Sequence, residues 1–271
     1  MKILSIGNSF SQDATRYLHQ IARASGYDLT VANLYIGGCP LHKHYVNMLA
    51  DAKAYCLEFN GYPTDFMVSI SEALLSREWD YVTVQQVSGK SVDYSTYQPY
   101  LDELCKYIRK CAPKAKLVVH QTWFYEKDSK RLVDEMGYST PDEMLADIVK
   151  SYNRAAADVK ADVVIPSGEL MMMLSNCGIE KIHRDTFHAC YGISRYAIGL
   201  LWYAVLTGNS IADNTFCDFD EDVSPEYIKI AKQCVEKIVS DEVSCGMASS
   251  VSLLRNAFPS VTGFELSLPD N

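Results

Sequence analysis

The chain opens with a strand-like apolar run that delivers a serine where the run ends. The segment "KILSIGNSFSQD" begins at Lys2, and its apolar residues stop at Gly7-Asn8-Ser9. A serine in this position can cap the helix that follows, because its hydroxyl accepts hydrogen bonds from free N–H groups. It can also be a nucleophile, held where backbone N–H groups face a developing oxyanion. The residues around Ser9 alone leave both interpretations open.

A nucleophilic serine needs a general base and a group that orients the base. The segment "HRDTFHACYG" places Asp185 three residues before His188. A D-x-x-H pair in a turn can bring the carboxylate to the imidazole Nδ1–H, which fixes the tautomer and leaves Nε2 free for the serine. The pair is equally compatible with a capping arrangement and a solvated histidine. The choice between these two interpretations therefore depends on where the fold places the pair.

Five short apolar runs alternate with helical patterns along the chain. Several are continuous in Val, Ile and Leu, which is typical of strands covered by helices on both faces. The runs are residues 2–6, 29–35, 81–86, 116–121 and 162–166. This alternation predicts an α/β fold with a parallel sheet and right-handed crossovers. The simplest arrangement is a three-layer α/β/α, flavodoxin-like fold with five parallel strands in the order 2-1-3-4-5.

The sheet brings the candidate residues to one edge. Ser9 follows the first strand, whereas Asp185 and His188 come after the fifth and lead into the apolar helix "YAIGLLWYAVL". Ligands of open α/β folds bind at the carboxyl ends of the strands. This placement favours a Ser9–His188–Asp185 arrangement over a capped turn with a solvated histidine. The G-x-S-x-G elbow and distant acid of α/β-hydrolases are absent.

The order of these segments resembles the SGNH (GDSL-like) hydrolases. The shared features are a serine after the first strand, glycines after the second, a polar residue after the third and D-x-x-H near the end. The combination "GNSFS … WDYVTVQQVSG … HQTWFY … RDTFH" is similar to a bacterial branch of that superfamily catalogued as a domain of unknown function. The resemblance implies an SGNH hydrolase-like domain over residues 1–240, followed by a C-terminal tail over 241–271.

The resemblance also implies the roles of individual residues. Ser9 would attack an ester, with Asp185 and His188 completing the triad. The oxyanion would be held by the N–H of Ser9, by a glycine N–H in "YIGGCP" and by a side-chain amide after the third strand. Gly38 is the favoured glycine, and Gly37 is the less favoured choice.

Two departures from the family pattern affect the predicted site. Gly-Asn-Ser-Phe stands where the family has Gly-Asp-Ser-Leu, and the asparagine of the third block is replaced by "VQQVSG". A glutamine carries the same amide donor one methylene further out. We therefore predict Gln86 as the third oxyanion donor, with Gln85 as the alternate.

Other residues near this edge are predicted to contact the substrate: Asn8, Gln85, His120, Trp123 and Arg184. Trp123 would stack on a sugar or pack on an acyl chain, unless it is a core residue. Arg184 would pair with a nearby carboxylate or bind a substrate carboxylate.

Two irregular segments are predicted to form the walls of the pocket. One is the hairpin around Asn60-Gly61, and the other is the long connection 122–140, which begins with three aromatic residues. Both interrupt a compact β-α pattern, and long loops in such folds are commonly functional.

Composition excludes several other classes of function. The net charge of −9, from 25 basic and 34 acidic residues without a Lys/Arg cluster, argues against nucleic acid or a membrane as partner. No apolar run approaches the length of a membrane span. Nine cysteines without a C-x-x-C pair are typical of a cytoplasmic protein; a secreted or periplasmic location would require a signal peptide that has been removed. No pattern for a metal or cofactor is present, since the acidic segment 218–222 lacks the EF-hand spacing.

The sequence thus predicts a serine esterase or acyl hydrolase that deacetylates a carbohydrate or another small polar ester, without a cofactor. A homodimer is compatible with the tail. One alternative is a catalytically degenerate SGNH scaffold that binds a glycan. The other is a flavodoxin-like module in which "GNSFSQ" cradles a phosphate or flavin at a helix N-terminus.

Overall fold

The computed structural model of the protein describes residues 1–244. This part of the chain contains seven strands: β1 (Lys2–Gly7), β2 (Thr30–Tyr35), β3 (Tyr55–Phe59), β4 (Tyr62–Val68), β5 (Tyr81–Val84), β6 (Lys116–His120) and β7 (Val163–Ile165). They form one sheet with the order β4-β3-β2-β1-β5-β6-β7.

The helices between and after these strands cover the sheet. They are α1 (Ser9–Thr15), α2 (Leu18–Ala24), α3 (Leu41–Leu49), α4 (Ile70–Leu75), α5 (Tyr100–Cys111), α6 (Pro141–Asp158), α7 (Ser167–Asn176), α8 (Ile193–Thr207) and α9 (Pro225–Ser244). Short 3₁₀ turns precede α5, and a π-helical turn, Arg131–Glu135, lies in the long connection after β6. No helix among the described residues is both long and apolar enough to cross a membrane.

Both faces of the sheet are buried at its centre. Ile3 and Leu4 are neighbours in β1 and therefore point to opposite faces, yet each is fully shielded from solvent. Helices α3, α4 and α5 pack on one another, and α8 packs on α1, α2, α7 and α9. These contacts account for the continuous apolar character of the central strands.

The five parallel strands have the predicted order, but the sheet is larger than predicted. Strands β2, β1, β5, β6 and β7 run parallel, whereas β3 and β4 are antiparallel and extend the sheet beyond β2. The prediction of a five-stranded parallel sheet is therefore wrong. The hairpin pairs with the β2 edge instead of standing apart from the sheet.

The hairpin turn lies away from the predicted site. Asn60 and Gly61 have φ values of 52° and 88°, as a type I′ turn requires. The N–H of Asn60 donates to the carbonyl of Val31, near the start of β2, at 2.8 Å. Ser9 follows the opposite, carboxyl end of β1. The prediction that this turn forms a pocket wall is therefore wrong.

The segment between β1 and β2 forms two helices, α1 and α2, and the first begins at Ser9. The tail predicted from residue 241 lies, except for the last turn of α9, outside the described residues.

Candidate active site

The nucleophile turn is the segment Gly7-Asn8-Ser9 at the carboxyl end of β1. Asn8 is the N-cap of α1, and its Oδ1 accepts a hydrogen bond from the N–H of Phe10 at 3.1 Å. Ser9 is the first helical residue and is half-buried. Since asparagine is a preferred capping residue, the hydroxyl of Ser9 is left for another partner. Helix capping therefore does not explain Ser9.

The partner of Ser9 is His188. Oγ of Ser9 lies 2.8 Å from Nε2 of His188, and Nδ1 of His188 lies 2.8 Å from Oδ2 of Asp185. Oδ1 of Asp185 accepts the backbone N–H of His188 at 3.0 Å. Because an ionised carboxylate only accepts hydrogen bonds, Nδ1 carries the imidazole proton, and Nε2 accepts from the serine hydroxyl. The structure brings the three predicted triad residues together.

The carboxyl of Asp185 is held in its charged form. Partial burial raises its pKa, but the hydrogen bonds from the side chain and backbone of His188 outweigh burial and hold the pKa below its usual value. The carboxylate can thus orient the imidazole and stabilise the imidazolium that forms when Ser9 loses its proton.

Asp13 attaches the turn that carries Asp185 and His188, the histidine turn, to α1, and sequence reasoning missed it. This residue is one helical turn after Ser9 and is fully buried. Oδ2 of Asp13 accepts the N–H of Ala189, the residue after His188, at 3.2 Å. Its only sequence signal is the i+4 spacing from Ser9, which places both residues on one helix face.

Two arginines hold the buried Asp13 carboxylate. Nη1 of Arg184 and Nε of Arg195 each donate to Oδ1 of Asp13 at 2.8 Å. Burial raises the pKa of Asp13, and the two guanidinium groups oppose that rise. Arg184 also donates to the carbonyl of Ala189. Of the two roles predicted for Arg184, the structure shows the pairing with a nearby carboxylate.

The two backbone N–H groups that the sequence predicts as oxyanion donors belong to Ser9 and Gly38. Ser9 begins α1, so its N–H has no carbonyl one turn earlier. Gly38 is exposed and has φ +63°, and no hydrogen bond to its N–H is found within residues 1–244. Nδ2 of Asn8 donates to the carbonyl of Cys39 at 3.1 Å, which ties the Gly38-Cys39 turn to the nucleophile turn.

The amide of Gln86 is already engaged. Its Nε2 donates to the carbonyl and to Oγ1 of Thr96 at 3.1 and 3.2 Å, and its Oε1 accepts the N–H groups of Leu41 and Val87. Gln86 is fully buried. The structure therefore contradicts the prediction of Gln86 as an oxyanion donor. Instead, Gln86 braces the start of α3 against the end of β5.

The side chains of Asn8, Gln85 and His120 are buried and bind one another. Nε2 of Gln85 donates to Oδ1 of Asn8 at 2.8 Å, and Oε1 of Gln85 lies 2.7 Å from Nδ1 of His120. All three side chains are buried. The prediction that they contact substrate is wrong, because each side chain is buried and hydrogen-bonded to other protein groups.

Trp123 is a core residue. Its side chain is fully buried, and its ring stacks on Phe10 with 4.2 Å between centroids. Nε1 of Trp123 donates to the carbonyl of Phe187 at 2.8 Å, and the Phe187 ring packs 3.8 Å from the imidazole of His188. The predicted role of Trp123 in a pocket wall is therefore wrong. Trp123 instead supports the turn that carries His188.

A groove of about 960 Å³ lies elsewhere, between residues 92–102 and one side of α6. Its lining includes Tyr94, Asp102 and Arg154 but no histidine. None of the triad residues lines it. Within the described part of the chain, no cluster of three or more His, Cys, Asp or Glu side chains could hold a metal ion.

Comparisons with known proteins identify the family. Residues 2–237 match the family described as "Domain of unknown function (DUF4886)". The chain belongs to the DUF4886 family. The crystal structure of a DUF4886 family protein from Bacteroides uniformis is 31 % identical, with a TM-score of 0.81 over 89 % of this chain and 95 % of that one. No curated protein matches the sequence.

More distant structures share the fold of this DUF4886 protein. A protein from Slackia heliotrinireducens described as a candidate SGNH hydrolase is 20 % identical, with a TM-score of 0.54 over 76 % of this chain and 98 % of that one. A candidate GDSL-like lipase from Parabacteroides merdae is 14 % identical, with a TM-score of 0.50 over 76 % and 95 %. The chain therefore has the fold of the SGNH hydrolases, as its resemblance implied.

Proposed function

We propose that this DUF4886 protein is a serine ester hydrolase with Ser9 as nucleophile, His188 as general base and Asp185 as the residue that orients it. The observation that carries the proposal is the continuous hydrogen-bonded series from Asp185 through His188 to Ser9, with both distances at 2.8 Å. Similarity to structures of the SGNH fold supports the same class of chemistry.

The geometry is suited to acyl transfer in two steps. Oγ of Ser9 attacks the ester carbonyl carbon while its proton moves to Nε2 of His188. The N–H groups of Ser9 and Gly38 stabilise the negative oxygen of the tetrahedral intermediate. His188 then gives the proton to the departing alcohol. Water, deprotonated by the same imidazole, releases the acid from Ser9 and restores the hydroxyl.

The proposed substrate rests on the groups that surround Ser9 and on the sequence prediction. Two backbone N–H groups and a half-buried serine are compatible with a small acyl group such as acetyl. A carbohydrate or another small polar ester would carry that group, as the sequence predicts. No cofactor is needed for this reaction.

A degenerate SGNH scaffold is the second candidate. It is favoured by one observation: Gln86 donates to Thr96, so the proposed oxyanion site has two backbone donors and no side-chain amide. Loss of one oxyanion donor typically costs about 10²–10³ in kcat. The phosphate-binding alternative is less suited to the structure, because the Ser9 hydroxyl is directed to His188.

The test is hydrolysis of p-nitrophenyl acetate and acetylated sugars by the wild type, Ser9→Ala and Ser95→Ala. Ser95 lies in the groove of 960 Å³ and serves as the control. We expect hydrolysis that is lost in Ser9→Ala and kept in Ser95→Ala, with a fluorophosphonate probe labelling Ser9. Binding of an acetylated sugar by calorimetry without Ser9-dependent hydrolysis would support the scaffold instead. Equal activity in wild type and Ser9→Ala would contradict a serine mechanism.

A further inference from the structure

A buried series of side chains runs behind the nucleophile turn. It leads from Oγ of Ser167 to Nε2 of His120 at 3.0 Å, from Nδ1 of His120 to Gln85 at 2.7 Å, and from Gln85 to Asn8 at 2.8 Å. The four residues are between 0 % and 3 % exposed. The proposed mechanism uses none of them.

Sheet register explains how these residues meet. Val84 in β5 is level with Ile6 in β1 and with Val119 in β6. The residues that follow, Gly7, Gln85 and His120, therefore form a row at the carboxyl edge. A Cβ on Gly7 would collide with Ser11 and approach the Gln85 amide carbon. The missing side chain at Gly7 thus leaves room for the Gln85 amide beside Asn8.

One backbone group fixes the direction of every hydrogen bond in the series. The N–H of Phe10 can only donate, so the Asn8 atom that it contacts at 3.1 Å is the oxygen Oδ1. Gln85 must then present its amide nitrogen to that oxygen and its Oε1 to His120. His120 consequently carries its proton on Nδ1 and accepts from the Ser167 hydroxyl at Nε2. Burial lowers the pKa of His120 to about 3, so the imidazole is neutral.

The other end of the series reaches the oxyanion donors. With Oδ1 of Asn8 held by Phe10 and Gln85, the remaining amide atom, Nδ2, is directed at the carbonyl of Cys39, 3.1 Å away. Cys39 follows Gly38, which carries one proposed oxyanion donor, and Asn8 precedes Ser9, which carries the other. The Asn8 amide therefore links the two turns whose N–H groups must converge.

We propose that His120 and Gln85 are positioning residues, which act through Asn8 to set the spacing between the oxyanion donors of Ser9 and Gly38. This inference rests on the proposed esterase function. It explains why a DUF4886 chain without the third-block asparagine keeps a buried amide at the end of β5: that amide orients the donor turns and does not bind the oxyanion itself.

The first test measures the hydrolysis of p-nitrophenyl acetate by variants of His120 and Gln85 that differ mainly in their hydrogen-bonding groups. His120→Asn keeps a hydrogen-bond donor that can reach Gln85. The side chain in His120→Leu has nearly the same shape as asparagine but no donor. We expect His120→Leu and Gln85→Met to lower kcat by roughly 10- to 100-fold with KM changed less than about twofold, since displaced donors act mainly in the transition state. His120→Asn should keep most of the wild-type kcat.

Gln121→Met is the control for a buried glutamine outside the series. Gln121 directly follows β6, and its Oε1 accepts the N–H of Gly168 at 3.0 Å. This variant should lower the Tm without lowering kcat. If Gln85→Met also lowers the Tm and leaves kcat unchanged, or if His120→Asn is as inactive as His120→Leu, the positioning role is overturned.

NMR decides the inference independently of activity. In ¹⁵N-labelled protein, His120 should show the neutral Nδ1–H tautomer from pH 5 to 8, and the Gly38 amide resonance should shift in Gln85→Met but not in Gln121→Met. A Gly38 resonance that is unchanged in Gln85→Met would refute the inference. Absence of Ser9-dependent hydrolysis, together with the expected NMR shifts, would instead refute the proposed function and leave the positioning supported.

Discussion

At the scale of single residues, the most informative atom is the Asp185 carboxylate oxygen that faces Nδ1 of His188. An amide in its place could donate to the ring and leave the proton on Nε2, where it would block acceptance from Ser9. We expect Asp185→Asn to lower kcat by about 10²–10⁴-fold with little change in KM. Steady-state kinetics on p-nitrophenyl acetate measure this. A loss smaller than tenfold would show that the carboxylate does not orient the imidazole.

Asp13 is the second residue whose charge we expect to affect the protein, in both its stability and its activity. Replacing Asp13 by Asn leaves Arg184 and Arg195 without their buried counter-ion. Breaking a buried ion pair in this way typically costs about 3–5 kcal/mol, and the histidine turn loses its attachment to α1. Asp13→Asn should therefore lower both the free energy of unfolding in urea and the kcat of the folded fraction.

Asp220 provides the matched control for Asp13. It also binds Arg195, together with Arg16, but its side chain is 32 % exposed. Solvent screens such a pair, so Asp220→Asn should cost about 1 kcal/mol or less and leave kcat near the wild-type value. Equal effects of the two substitutions would show that the buried carboxylate has no special role.

The site residues that the sequence could predict differ from the others in having a recognisable local pattern. Ser9 stands in such a pattern at the end of β1, and Asp185 and His188 form a D-x-x-H pair in the connection between α7 and α8. The roles of Gln85 and Gln86 were not predictable, because neighbouring glutamines differ only in which distant group they meet. Gln86 meets Thr96 and Leu41, and Gln85 meets Asn8 and His120; these contacts depend on sheet register.

At the scale of elements, the sequence predicts the hairpin turn but not the position of the hairpin in the sheet. Asn60-Gly61 predicts the turn locally, but the pairing of β3 with β2 is a non-local contact. The turn itself is fixed at the amino end of β2 by the side chain of Asn60, whose Oδ1 accepts the N–H of Val31 at 3.0 Å. Sequence alone could not place this hairpin relative to the site.

The histidine turn is an element with backbone strain at a defined position. Thr186, between Asp185 and His188, has φ +77°, a region that β-branched residues rarely adopt. Glycine adopts it freely, so we expect Thr186→Gly to raise the free energy of unfolding by about 1 kcal/mol, after allowance for glycine's greater entropy when unfolded. Thr186→Ala retains a Cβ and should change stability little. Urea unfolding of the three proteins measures the difference, and a less stable glycine variant would contradict strain at this turn.

At the scale of the whole molecule, the burial of three histidines makes stability depend on pH. Burial lowers the pKa of His44 and His120 to about 3 and that of His183 to about 4. In the unfolded chain each would titrate near 6.5. Below about pH 6.5 the unfolded state therefore binds up to three more protons than the folded state, and stability falls as pH falls towards 4. The raised pKa values of Asp13 and Glu58 oppose this trend in part.

We expect the free energy of unfolding to fall on acidification with a limiting slope of about 4 kcal/mol per pH unit for three histidines, at about 1.4 kcal/mol per proton. Urea unfolding at pH 7, 6 and 5 gives this slope. His44→Phe removes one proton-binding site while keeping a ring beside Tyr55, whose ring stacks on His44 with 5.7 Å between centroids. The slope of this variant should be smaller by about one proton, because His44 no longer takes up a proton on unfolding. An unchanged slope would show that His44 is protonated to the same extent in both states, which its full burial opposes.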